Sequence, residues 1–188
     1  KEVDTALVHF LGALVALPPM LVFGLPPAVA WPYIGASLMV HIAYYITLAG
    51  AYKHGDLGLT YPIMRGTAPL LVALGSSFVL GESLSMLAWC GVLAVTAGVA
   101  LVGLARHAPR ASDPRQLEHA AQQPGASGFG AAEALQRRRA LGFALANAVV
   151  IAAYTFVDGS GVRTTVAAGE FAVSYVLVLF VLDGIPYP

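Results

Sequence analysis

Residues 61–82 read Y-P-I-M-R-G-T-A-P-L-L-V-A-L-G-S-S-F-V-L-G-E, an apolar run of membrane-spanning length that contains one arginine, Arg65. An arginine near the middle of a lipid-spanning helix costs at least about 2.5 kcal/mol on insertion scales, so it normally faces a bundle interior or an aqueous path. The stretch therefore predicts a helical membrane protein. It also makes Arg65 the first candidate for a functional residue.

The composition of the whole chain favours a membrane protein over a soluble one. Hydrophobic residues occupy 58% of the 188 positions and charged residues only 11%, whereas a soluble domain has roughly 25% charged residues. Residues 5–52 contain no Asp, Glu, Lys or Arg. Because about 20 apolar residues span a bilayer, this run predicts two spans. The formal net charge of zero gives no indication of a nucleic-acid partner.

Apolar runs separated by short polar or Gly/Pro-rich segments predict an all-α polytopic helical bundle. Pro18-Pro19 is expected to bend or split the first helix, and Ser83 or Ser85 to cap the fourth. The sequence D-G-S-G-V-R-T-T at 158–165 is expected to form a turn after the fifth helix. Small residues follow one face of the fourth helix, a pattern typical of close packing: Gly91, Ala94 and Gly98. The six candidate helices cover about residues 5–25, 32–52, 57–80, 85–104, 140–157 and 171–182.

Residues 105–139 are rich in Arg, Gln, Ser, Pro and Gly, which predicts a flexible linker with a short surface helix at about 131–138. This linker separates two units, 1–104 and 140–188. The membrane that holds the chain is predicted to be a bacterial inner membrane. The positive-inside rule predicts that the linker lies in the cytoplasm. The linker arginines that carry this prediction are Arg106, Arg110, Arg115, Arg137, Arg138 and Arg139.

Two segments resemble the EamA family of the drug/metabolite transporter superfamily. They read A-Y-K-H-G-D-L-G-L-T-Y-P-I-M-R-G-T-A-P-L-L-V-A-L at 51–74 and L-G-E-S-L-S-M-L-A-W-C-G-V-L-A-V-T-A-G-V-A-L at 80–101. The resemblance covers about residues 43–104 clearly. The opening of the second unit, A-L-G-F-A-L-A-N-A-V-V-I-A-A-Y-T-F-V-D-G-S-G-V-R at 140–163, is a looser match.

The resemblance implies a ten-helix fold built from two inverted five-helix repeats, which moves small metabolites or drugs through a site near the bilayer midplane. The chain would then hold helices two to five of the first repeat in 1–104 and the first two of the second repeat in 140–188. It would be a fragment that lacks helix one and the last three. In ten-helix members of the family the linker between the repeats commonly lies outside the cell. The arginines of this linker indicate the cytoplasmic side instead, and we predict that side from the charges.

Four-residue spacing places Tyr61, Arg65 and Pro69 on one face of the third helix. The planar guanidinium of Arg65 suits a carboxylate or a phosphate, which would make it an anion contact in a transport path. A structural interpretation stays open. In it, Arg65 binds backbone carbonyls that Pro62 and Pro69 free, or reaches towards a membrane interface.

Two further polar faces are candidates for the lining of a substrate cavity. On the second helix the candidates are His41, Tyr44 and Tyr45, which either contact a substrate or relay a proton, or simply pack. On the fifth helix they are Asn147 and Tyr154, followed by Asp158. Glu82 is expected to bond the start of the fourth helix, with proton coupling as the alternative. Cys90 is expected to be a small packing residue.

No phosphate-binding glycine loop, metal-ligand spacing or nucleophile with a paired base is present in the sequence, so it predicts neither an enzyme nor a metal or cofactor site. The leading hypothesis is a permease or exporter that moves a small metabolite or drug-like solute across a lipid bilayer by alternating access. The alternative is a non-transporting integral membrane assembly or sensor subunit. Homodimerisation is left open.

Overall fold

The computed structural model describes residues 2–79, 81, 84–107 and 126–184, and in this part of the chain all regular structure is helical. This confirms the predicted all-α class. A short 3-10 turn, Ala28–Ala30, precedes the second helix. The α-helices are α1 (Glu2–Phe23), α2 (Trp31–His54), α3 (Leu57–Val79), α4 (Met86–His107), α5 (Ala126–Ala167) and α6 (Ala172–Asp183).

Two helical segments in the described residues are long and apolar enough to cross a membrane. They are Ala28–His54, with a mean hydropathy of 1.5, and Ala134–Ala167, with a mean hydropathy of 2.0. Both exceed the roughly 20 residues that a bilayer requires. Phe10–Phe23, Met86–Val102 and Ala172–Asp183 are apolar but shorter.

The predicted turn at 158–165 is wrong, because α5 continues through it to Ala167. The hydroxyls of Ser160, Thr164 and Thr165 each donate to the carbonyl four residues earlier, at 2.8 to 2.9 Å. These bonds satisfy the polar side chains inside the helix instead of starting a turn. The chain turns later, at Gly169, whose φ of +87° favours glycine.

The described residues also test three other predictions, which concern a proline pair, a helix cap and the linker. Pro18-Pro19 does not split α1, which is a single helix. Ser85 caps α4 as predicted, since its Oγ accepts the backbone N–H of Ala88 at 3.2 Å, whereas Ser83 lies outside the described residues. Residues 126–139 of the predicted linker are helical, in keeping with their Ala, Glu, Leu, Gln and Arg content. Residues 108–125 lie outside the described part.

One compact unit comprises Lys1–Ile42 and Ala153–Pro188, and in it α1 packs against α6. Its buried core centres on Ile34, Tyr175 and Val178. Gly161 lies so close beneath the Tyr175 ring that a Cβ there would overlap it. The space above Gly161 is therefore filled by the Tyr175 ring.

The second compact unit is Ala43–Ala152, in which α3 packs against α4. Gly66 is buried, and a Cβ built on it would lie 3.1 Å from the Val99 side chain. The predicted packing face of α4 is wrong within the described residues, because Gly91, Ala94 and Gly98 are exposed. This grouping differs from the sequence division at 105–139, since α2 and α5 each contribute residues to both units.

Candidate functional site

Arg65 lies on α3 with an exposed side chain and only loose contacts. Its Nη2 donates to the Tyr44 hydroxyl at 3.4 Å, longer than a usual hydrogen bond. Its guanidinium carbon lies 5.9 Å from the centre of the Tyr61 ring, near the limit of a cation–π contact. Among the described residues, the guanidinium contacts no carboxylate and no backbone carbonyl. The carbonyls associated with Pro62 and Pro69 therefore do not hold it within this part of the chain.

Tyr44 and Tyr45 form the aromatic side of this site on α2. Their rings meet edge to face, with centroids 5.2 Å apart and an interplanar angle of 76°. Both rings are half-buried. Tyr45 therefore supports the ring whose hydroxyl accepts from Arg65.

Asn147 connects α5 to the same turn of α2 and is only 1% exposed. Its Nδ2 donates to the Tyr44 carbonyl at 3.0 Å and to the Thr47 hydroxyl at 2.9 Å. Thr47 in turn donates to the Ala43 carbonyl at 2.8 Å. The Asn147 Oδ1 is buried and has no hydrogen-bond partner in the described part of the chain. The amide thus fixes the backbone that carries Tyr44 and leaves one acceptor unused.

The structure therefore brings five of the sequence-predicted residues of the second unit into one linked group, which we call the Arg65 cluster: Arg65, Tyr61, Tyr44, Tyr45 and Asn147. Sequence reasoning missed Thr47, which receives one of the two Asn147 bonds. The available signal was its position three residues after Tyr44 on the same helix, where a polar side chain shares its face.

His41 and Tyr154, the other two predicted site residues, meet in the first unit. Their rings stack with centroids 4.7 Å apart and an interplanar angle of 29°. The His41 Nδ1 lies 2.9 Å from the Ser37 carbonyl, so Nδ1 is the nitrogen that donates in this bond. Ser37 is fully buried and was not expected from the sequence. Asp158 accepts from the buried Tyr175 hydroxyl at 3.1 Å, so its carboxylate holds α6.

The remaining candidates contribute little to these sites. Cys90 is exposed, so the prediction that it packs is wrong. Glu82 lies outside the described residues. Within residues 2–79, 81, 84–107 and 126–184, no group of three His, Cys, Asp or Glu side chains is placed to hold a metal ion.

Comparison of the chain with protein families, with curated proteins and with solved structures gives no match in any of the three. The resemblance to the EamA family therefore depends only on the residues of the segments at 51–74, 80–101 and, more loosely, 140–163.

Proposed function

We propose that the chain is an integral membrane protein that moves a small solute across the bilayer by alternating access. Its apolar surface supports the membrane part of the proposal. Val22, Phe78 and Leu87 are 81%, 86% and 83% exposed, and only 17% of the apolar window of Ala28–His54 is buried. A helix in the core of a soluble domain would be mostly covered, and large exposed apolar areas are rare on soluble monomers. Hydrocarbon would cover these side chains.

The observation that carries the transport part is the state of Arg65. A permanent positive charge sits on an apolar helix, exposed, and pairs with no carboxylate in the described residues. In hydrocarbon such a charge costs about 2.5 to 3.5 kcal/mol or more. If Arg65 faces a water-filled solute path, hydration of the guanidinium removes most of this free-energy cost. A permease requires such a path. Tyr61 and Tyr44, which contact the guanidinium, would line the same path.

The EamA resemblance adds the finer points of the proposal. It favours two inverted repeats, with helices two to five of the first in 1–104 and the first two helices of the second in 140–188, together with a metabolite or drug-like solute and a bacterial inner membrane. The arginines of 105–139 favour a cytoplasmic linker.

The second candidate is a non-transporting assembly or sensor subunit. The bonds of Asn147 to α2 favour it, because polar side chains also hold membrane helices together without forming any path. The two functions differ in one measurable property. A transport path is reached by water from both sides of the membrane in turn, whereas helix-joining polar groups are not.

Cysteine accessibility tests this difference without knowledge of the solute. Cys90 is the only cysteine in the sequence, so a Cys90→Ser background can receive Arg65→Cys or Tyr61→Cys. A membrane-impermeant methanethiosulfonate is then added to either face of vesicles of defined orientation. We expect both positions to react from both faces, because alternating access exposes the path to each side.

Ile46→Cys is the matched control. Arg65 lies eight residues after the start of α3 at Leu57, and Ile46 lies eight residues before the end of α2 at His54. Both are therefore about 12 Å along their helices from the turn that joins them. Ile46 is 63% exposed and apolar, so its thiol should lie in lipid and stay unreactive. If Arg65→Cys reacts no faster than Ile46→Cys, transport through this site is excluded; reaction from one face alone would favour the sensor.

A further inference from the structure

The geometry points to a small organic anion as the solute, bound through its carboxylate or phosphate group by Arg65. This inference rests on the proposed function, in which the Arg65 face lines the path. A guanidinium offers five N–H donors in a planar fork that matches the oxygens of these two groups. Within the described residues only one of these donors is engaged: Nη2 donates to the Tyr44 hydroxyl at 3.4 Å. Most of the fork is therefore open to a bidentate partner.

The charge of the site favours an anion over a neutral solute. Arginine does not lose its proton in proteins, so Arg65 stays positive wherever the path opens. The carboxylate closest to it along the chain, Asp56, accepts the backbone N–H of Gly58 at 3.1 Å at the start of α3. That bond caps α3, where the helix dipole also favours a negative charge. A solute anion would supply the countercharge that the described part of the chain does not place beside Arg65.

The aromatic residues around the guanidinium favour a solute with an apolar body. Tyr61 is 50% exposed and lies under the guanidinium, and the half-buried Tyr44 ring stands beside it. Rings in this position can pack against an apolar or aromatic group while Arg65 holds the anion. Inorganic anions would use only the charge. We therefore expect organic anions to bind more tightly than inorganic phosphate.

Binding to the purified full chain in a non-ionic detergent tests the inference. The probes are benzoate and phenyl phosphate, with neutral benzamide as the isosteric comparison and inorganic phosphate as the anion without an apolar body. Affinity is measured by calorimetry or by the rise in melting temperature. We expect at least one aromatic anion to bind, more tightly than inorganic phosphate, and benzamide not to bind.

Variants identify the binding residue. Arg65→Gln should weaken anion binding by about tenfold or more, because it removes the charge-assisted hydrogen bonds to the anion. Arg65→Lys should retain part of the affinity, since it keeps the charge and loses the fork. Arg137→Gln is the control: Arg137 is also exposed and helical, and its removal should leave binding unchanged.

Three results would overturn the inference. They are equal binding of benzamide and benzoate, no binding of either aromatic anion, and equal anion affinity in wild type and Arg65→Gln. A lipid headgroup is the other source of a phosphate, so phosphatidylglycerol is titrated separately. If that lipid alone gives an Arg65-dependent effect, Arg65 binds lipid and the solute assignment fails. If Arg65→Cys is labelled from both faces but any of these results is obtained, the assignment of an anionic solute is rejected and the transport function is retained. If anions bind but Arg65→Cys is not labelled from both faces, Arg65 belongs to an anion-binding site and the transport function is rejected.

Discussion

The Tyr175–Asp158 pair in one unit and Arg65 in the other use their polar groups in opposite ways. In the unit of α1 and α6, the Tyr175 side chain is fully buried and donates to Asp158 at 3.1 Å, and the buried Thr165 donates within its own helix. In the unit of α3 and α4, Arg65 is exposed and is held only by a long bond and a distant ring. Paired and buried polar groups stabilise a fold, whereas an exposed charge with loose contacts leaves its binding capacity unused. The difference separates polar residues that hold the fold from a candidate site residue, and the sequence alone does not distinguish the two.

The largest effect on stability is expected at Gly161, which packs directly against the buried Tyr175 ring. Gly161→Ala would force the Tyr175 ring aside, because the new Cβ overlaps it. Overpacking of this kind costs about 1 to 3 kcal/mol, and the Tyr175–Asp158 bond would weaken as well. The measurement is the free energy of unfolding, or the melting temperature, of the purified chain.

Gly159→Ala is the control for that experiment. A Cβ at Gly159 would meet only the end of the Arg163 side chain, at 3.8 Å. Alanine is favoured over glycine in a helix by about 0.8 to 1 kcal/mol, so this variant should be as stable as wild type or more stable. Equal losses at both positions would mean that the Tyr175 contact does not limit the packing.

The next effect is expected at the junction of Asn147 and Thr47. Asn147→Leu removes two hydrogen bonds to α2, and Thr47→Val removes the acceptor of one of them. If the two side chains act together, the double variant should lose less stability than the sum of the single ones. A coupling of about 0.5 to 1.5 kcal/mol is expected for such a bond. Strict additivity in the unfolding free energies would show that the bond contributes nothing.

A smaller loss is expected where α3 meets α4. Gly66→Ala would place a Cβ 3.1 Å from the Val99 side chain, so one of the two helices must shift by a few tenths of an ångström. We expect a loss of about 1 kcal/mol, at the lower end of overpacking effects. Val99→Ala should restore stability in the double variant by opening space. Gly91→Ala, which meets nothing within 4 Å, should not destabilise the chain.

The sequence predicted the helices best where the signal is local. The predicted runs at 32–52, 57–80 and 171–182 lie within two residues of α2, α3 and α6, because the length of an apolar run is visible without any tertiary contact. The D-G-S-G segment failed for the opposite reason. Gly161 is required there by the ring of Tyr175, fourteen residues further along, and a local pattern cannot distinguish that role from a turn.

The candidate site shows the same division. Helical spacing was enough to place Tyr61 beside Arg65, and the contact between them is present. The bond from Asn147 to Thr47 joins residues 100 positions apart. It depends on how α5 meets α2, which no spacing within one helix reveals. The association of Arg65 with Tyr44 likewise had no local signal.

The smallest effect on stability, and the sharpest contrast between the two kinds of polar residue, is expected for Arg65→Gln. The side chain is exposed and its described bond is long, so its removal should change the free energy of unfolding by no more than about 0.5 kcal/mol, as at ordinary surface positions. The same variant should lose about tenfold or more in affinity for aromatic anions. Melting curves and titrations on one preparation give both numbers. A stability loss as large as that of Gly161→Ala would place Arg65 with the structural polar groups, because a residue kept for binding contributes to the complex and not to the empty fold.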